Sequence, residues 1–119
     1  MALTFFLNRK ATTCVVSFKG TIAASDAECL DSCLREVTGE LAKYLILSMG
    51  GISKVEAESA RSFTLFQQAL RGKSKLYLCD LQEAVGSALR AQGVLREAEV
   101  KTDLMACLQA IQRAERGQW

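Results

Sequence analysis

Four times along this chain a residue suited to open a helix is followed by an apolar stripe at helical spacing and then by a glycine, with short apolar segments in the gaps. That alternation restricts the fold more than any other feature. Ser25 with Glu28 has the spacing of a capping box, in which each side chain satisfies a free backbone N–H at a helix start. Ala27, Leu30, Leu34 and Val37 then mark one face, and Gly39 stops it. Ser53 with Glu56 repeats the box ahead of Ala60, Phe63, Phe66 and Leu70, with Gly72 as the stop. Asp80 and Glu83 open a third stretch through Val85, Ala88 and Leu89 to Gly93. Thr102 precedes a fourth, carried by Leu104, Leu108 and Ile111 and closed by Gly117. Each glycine stands where a left-handed residue can cap the last carbonyls. Four helices are predicted.

The gaps between them read as strands. Residues 13–19 (TCVVSFK), 44–49 (YLILSM) and 76–79 (LYLC) are rich in β-branched or large apolar side chains and nearly continuously apolar, as strands covered on both faces are. Residues 4–7 fit an additional edge strand, and residues 96–100 a last, weaker one. Strands alternating with helices need crossover connections, so most of the sheet is parallel; the first two strands, joined without a helix, make an antiparallel pair.

The 119 residues fit a single domain, residues 1–119, with no internal boundary, repeat or proline-rich linker. Fifteen basic against thirteen acidic residues is too even a balance for a nucleic-acid binder, which concentrates cations on one face. The densest basic cluster, Arg71, Lys73 and Lys75, falls where a helix ends and complements its exposed carbonyls. The apolar start of the chain is too short for a signal peptide, and no run is long enough to insert into a membrane. A cytoplasmic protein is expected. The five cysteines, Cys14, Cys29, Cys33, Cys79 and Cys107, are odd in number, lack a Cys-x-x-Cys pair and read as small, reduced core residues.

Little of this composition supports catalysis. Without histidine there is no imidazole base for a nucleophilic triad and no imidazole ligand for zinc; Cys29 and Cys33, one helical turn apart, are the nearest approach to a metal pair. Gly50-Gly51 follows the central strand but lacks the Lys and hydroxyl of a phosphate loop, and reads as a turn from strand to helix. Glu56 and Glu58 sit where ligand sites gather in open α/β sheets, beyond the C-terminal end of a strand. Their spacing by two puts them on different sides of a helix, and acidic residues also belong at helix starts for electrostatic reasons. The expectation is a non-enzyme, with no cofactor and no metal.

The layout resembles the STAS domain, the fold of bacterial anti-sigma-factor antagonists. Val16-Ser17-Phe18-Lys19-Gly20-Thr21-Ile22 and residues 24–28 look like the family's strand, turn and first helix start; residues 44–52 look like its central strand and following loop. Residues 75–79 resemble its next strand, and residues 85–95 (VGSALRAQGVL) its Gly-Leu-ending helix, with Gly93 and Val94 in those places. The resemblance implies a mixed, mostly parallel sheet of four to five strands with four helices mainly on one side, and a regulatory protein that works by binding another protein. In the antagonists an Asp-Ser-Ser/Thr-Gly motif opens the second helix, and its first hydroxyl is phosphorylated by a partner kinase that is itself an anti-sigma factor. A phosphate adds about −1.5 to −2 charge, which dismantles an interface by repulsion and desolvation.

Here the motif departs from that pattern. Glu56-Ala57-Glu58-Ser59 lies over it: Glu56 keeps the acid, Ala57 replaces the phosphorylated hydroxyl, and Ser59 falls at the glycine. A two-residue slip would make Glu58-Ser59 the acid–serine pair, leaving Ser59 as the alternative acceptor. The resemblance thus implies a partner surface of Ser53, Glu56, Ala57, Glu58, Ser59 and Ser62, facing an anti-sigma-factor kinase or related regulator, transcription-linked and not switched by the usual phosphorylation. A small-ligand module for nucleotides or lipids, and a structural subunit of a transporter or stress-sensing complex, are the alternatives. A homodimer is compatible with all three.

Overall fold

A computed structural model describes residues 3–40, 42–56, 59–93 and 95–117. β1 (Thr4–Lys10) and β2 (Thr13–Ile22) form an antiparallel hairpin whose register runs from Thr4 opposite Lys19 to Lys10 opposite Thr13. α1 (Ala27–Glu40) carries the chain to β3 (Tyr44–Val55), and α2 (Ala60–Arg71) carries it to β4 (Lys75–Cys79). β3 is parallel to both β2 and β4, so the sheet order is β1-β2-β3-β4. α3 (Glu83–Ala91) and α4 (Leu104–Arg116) complete the chain. The alternation in the sequence is realised as a mixed, mostly parallel four-stranded sheet with four helices.

The period of two in the strands divides the core. Cys14, Val16, Phe18, Leu45, Leu47, Met49, Leu76 and Leu78 face one way, against Leu30, Cys33 and Val37 of α1, Phe63, Phe66 and Leu70 of α2, and Val85 and Leu89 of α3. Tyr44, Ile46, Tyr77 and Cys79 face the other way, against Cys107 and Ile111 of α4. Three helices therefore cover one face and one covers part of the other. Residues 44–47 of β3 are buried on both faces, which explains the apolar run there.

The helix starts lie offset from the expected ones. Asp26 caps the first helical segment, not Ser25: its carboxylate accepts N–H bonds from Ala23 (2.9 Å) and Leu3 (3.3 Å), in a 3₁₀ turn (Ala24–Asp26) leading into α1. Ser53 lies inside β3, and the N-cap position of α2 falls on Ser59. Asp80 holds a left-handed backbone (φ 59°) in the loop after β4, and α3 starts after Gln82. Asp103 beside Thr102 caps α4, accepting from the Ala106 N–H at 2.9 Å. Gly39 lies within α1, one residue before its end; of the four stop glycines only Gly93 (φ 70°) is left-handed.

The Gly50-Gly51 turn is also corrected: β3 runs through both residues to Val55. β2 is long enough to keep pairing there, with register shifts between Ser17 and Lys19 and between Gly20 and Thr21. A Cβ on Gly51 would lie 2.3 Å from the Phe18 carbonyl oxygen, so glycine serves close approach of two strands rather than a bend. The last weak strand shrinks to one parallel bridge, Val100 with Leu78, preceded by a 3₁₀ turn (Glu97–Glu99). Arg71 clamps that turn through two bonds to Glu99, Nε at 2.9 Å and Nη2 at 2.7 Å, so part of the basic cluster is already engaged within the chain.

The β1–β2 turn places Ala11 at φ 54°. A side chain there costs about 1–2 kcal/mol of steric strain, less the ordering entropy that a glycine would add. Ala11→Gly is expected to raise stability by about 0.5–1 kcal/mol, read as a higher midpoint in urea with an unchanged m-value.

Candidate functional site

Ser53, Glu56 and Ser59 lie where β2 and β3 end and α2 begins. The end of β2 holds this segment with its carbonyls. Ser53 Oγ donates to Gly20 O at 3.4 Å, and the Glu56 N–H donates to Ile22 O at 2.8 Å. Ser59 Oγ lies 2.6 Å from Glu56 O and 3.1 Å from Ile22 O, and its own N–H donates to Glu56 O at 3.0 Å. Ser59 is wholly buried; its hydroxyl faces backwards into these two carbonyls instead of capping the helix. Ser53 is exposed, Glu56 and Ser62 half-buried. Ala57 and Glu58 lie outside the described residues, as does Val94.

Ser62 belongs to a feature that sequence reasoning missed. Ala27, Leu30, Asp31 and Leu34 of α1 and Ser62, Leu65 and Phe66 of α2 line a groove of about 250 Å³ between the two helices. Leu65 stands on its rim, 55% exposed, and Asp31 gives it an acidic wall. The signal was present in part: Leu65 breaks the stripe of Phe63, Phe66 and Leu70 by pointing a large apolar group outward. That α1 supplies the opposite wall follows only from the tertiary packing of the two helices.

The other candidates are differently placed. Gly50 O accepts from Gln82 Nε2 at 2.8 Å, and Gly50 packs on Asp80, so the glycine pair is occupied by strand and loop contacts. Cys29 Sγ donates to Leu3 O at 3.3 Å. Cys33 is buried in the core, and burial, with Cys29 and then Glu36 beside it, pushes its thiol up to about 12. Among the described residues no group of three or more Cys, Asp or Glu is placed to hold a metal, and no helix is long and apolar enough to cross a membrane.

Residues 7–106 match the STAS domain family. No curated protein matches the sequence. Among solved structures, an anti-sigma factor antagonist from Mycobacterium paratuberculosis superposes with a TM-score of 0.79 at 14% identity, covering 93% of this chain and 95% of that one. RsbS from Moorella thermoacetica, carrying a serine-to-glutamate substitution, gives 0.78 at 17% identity over 94% and 97%. A chain from the stressosome, described as a signal integration and transduction hub, gives 0.76 at 16% identity over 92% and 98%. At these identities the likeness is one of fold.

Proposed function

The chain belongs to the STAS domain family, and on that premise we propose that it is a non-catalytic regulatory module that binds a protein partner through the start of α2, without the usual phosphorylation switch. The observation that carries this reading is the hydroxyl inventory of the motif. Ala57 has no acceptor oxygen, and the nearest serine, Ser59, is buried with its hydroxyl already donating to main-chain carbonyls. A kinase would have to unwind the first turn of α2 to reach it. Glu56 and Glu58 provide fixed negative charge in the same stretch, so the surface has one electrostatic state rather than two.

The proposed partner surface is Ser53, Glu56, Ala57, Glu58, Ser59 and Ser62; of these Ser59 is buried and holds the chain through Glu56 O and Ile22 O. Among the antagonist-like folds that this chain resembles, an anti-sigma-factor kinase or a related regulator is the class of partner that fits, in a bacterial cytoplasm and upstream of transcription. The Glu58→Lys/Ser62→Arg chain tests this. Reversing one charge and adding another at a rim of this kind is expected to weaken the complex at least tenfold while leaving the melting temperature unchanged, read by co-purification from the native cells. A partner retained at wild-type strength by the folded double variant contradicts the assignment.

A further inference from the structure

The second face of the sheet holds a pair of thiols that the partner surface does not use. Cys79 ends β4 and points at α4; Cys107 lies one turn into α4 and points back. Two main-chain bonds fix that apposition. The Lys101 N–H donates to Leu78 O at 2.8 Å and the Asp80 N–H to Thr102 O at 3.2 Å, bracketing Cys79 and setting the start of α4 above it. Both side chains are fully buried in one small cluster with Tyr44, Ile46, Tyr77 and Ile111, and each thiol acts on the ionisation of the other. Their surroundings differ. Cys79 Sγ donates to Asp80 Oδ2 at 3.5 Å, whereas Cys107 has the Lys101 cation and the N-terminal end of α4 acting on it against the Asp80 and Asp103 carboxylates.

We propose that Cys79 and Cys107 form an oxidisable dithiol, a modification site at which a hydroperoxide converts the pair to a disulfide that ties α4 to the sheet. The roles follow from the charges. The neighbouring Cys79 thiol and the Lys101 cation draw Cys107 below the usual thiol range against burial and the Asp80 and Asp103 carboxylates, while the neighbouring Cys107, burial and the Asp80 carboxylate hold Cys79 above it. Cys107 is therefore the nucleophile and Cys79 the resolving thiol. The Cys107 thiolate attacks the O–O bond, which breaks, giving a sulfenic acid and an alkoxide that leaves as the alcohol (water, from hydrogen peroxide). The Cys79 sulfur then attacks the sulfenic sulfur; the S–O bond breaks, and hydroxide leaves with the Cys79 proton as water. Two electrons pass from the dithiol to the peroxide. Entry requires opening of the first turn of α4, where Leu104 and Met105 are exposed and the Asp103 cap is the restraint.

The intact chain is treated with hydrogen peroxide, its remaining thiols are alkylated under denaturing conditions, and the peptides are mapped. The expected product has lost about 2 Da and contains a Cys79–Cys107 crosslinked peptide. Cys79→Ala and Cys107→Ala chains are expected to give no such product. Asp103→Ala, by freeing the first turn of α4, is expected to speed bridging about fivefold. Recovery of Cys79 and Cys107 as free thiols after the half-buried Cys29 has been oxidised would overturn the proposal. So would a bridge that forms chiefly among Cys14, Cys29 and Cys33, or an unchanged rate in Asp103→Ala.

Discussion

Gly51→Val is expected to cost about 4 kcal/mol, a large part of the 5–15 kcal/mol that holds a domain of this kind folded. The cause is local. A Cβ at this position would stand 2.3 Å from Phe18 O and 2.8 Å from Lys19 Cγ, so β2 and β3 cannot keep their pairing without moving apart. Moving them apart breaks the parallel ladder between Lys19–Gly51 and Ile22–Val55, the ladder that delivers Ile22 O to Glu56 and Ser59. The effect is therefore expected to spread to the start of α2, lowering hydrogen-exchange protection there as well as the unfolding midpoint. Gly50→Ala is the control. Its Cβ would meet Asp80 Cβ at 3.3 Å and Asp80 O at an ordinary 3.8 Å, and the expected cost is below about 1 kcal/mol. Equal effects at the two glycines would show that strand approach is not what selects Gly51.

Ser59→Asp is the second large effect, and it separates a structural serine from a regulatory one. Acidic replacement of a phosphorylated serine ordinarily leaves the fold intact and changes binding. At Ser59 the carboxylate would enter a site with no exposure, facing the carbonyl oxygens of Glu56 and Ile22, which are acceptors and cannot bond to it. An uncompensated buried charge costs about 3–5 kcal/mol. Ser59→Asp is thus expected to lower the melting temperature sharply, whereas Ser59→Ala loses only one hydrogen bond, about 1 kcal/mol. A stable Ser59→Asp chain would return Ser59 to the list of phosphorylation sites.

The architecture could be read from the sequence because it rests on periodicity. Phe63, Phe66 and Leu70 at helical spacing, and the dry run of residues 44–49, report burial directly. The boundaries were less legible, because several residues near each helix start can cap it. Asp26 caps in place of Ser25 because its carboxylate also reaches Leu3 on β1's approach, a contact that adjacent spacing does not encode. Gly50-Gly51 misleads for a related reason. A glycine required by a neighbouring strand is indistinguishable, in one dimension, from a glycine required by a turn. The α1–α2 groove needed two helices some thirty residues apart in sequence, and Ser59 looked like an available hydroxyl until the carbonyls of β2 were placed beside it.

The proposed docking surface works in one charge state. The most direct measurement is the intact mass of the chain in its free and partner-bound pools, purified from its own cells, with peptide mapping of residues 53–62. The prediction is an unmodified chain in the bound complex and no phosphate on residues 53–62 in either pool. Phosphate on that segment, confined to the free pool, would contradict it.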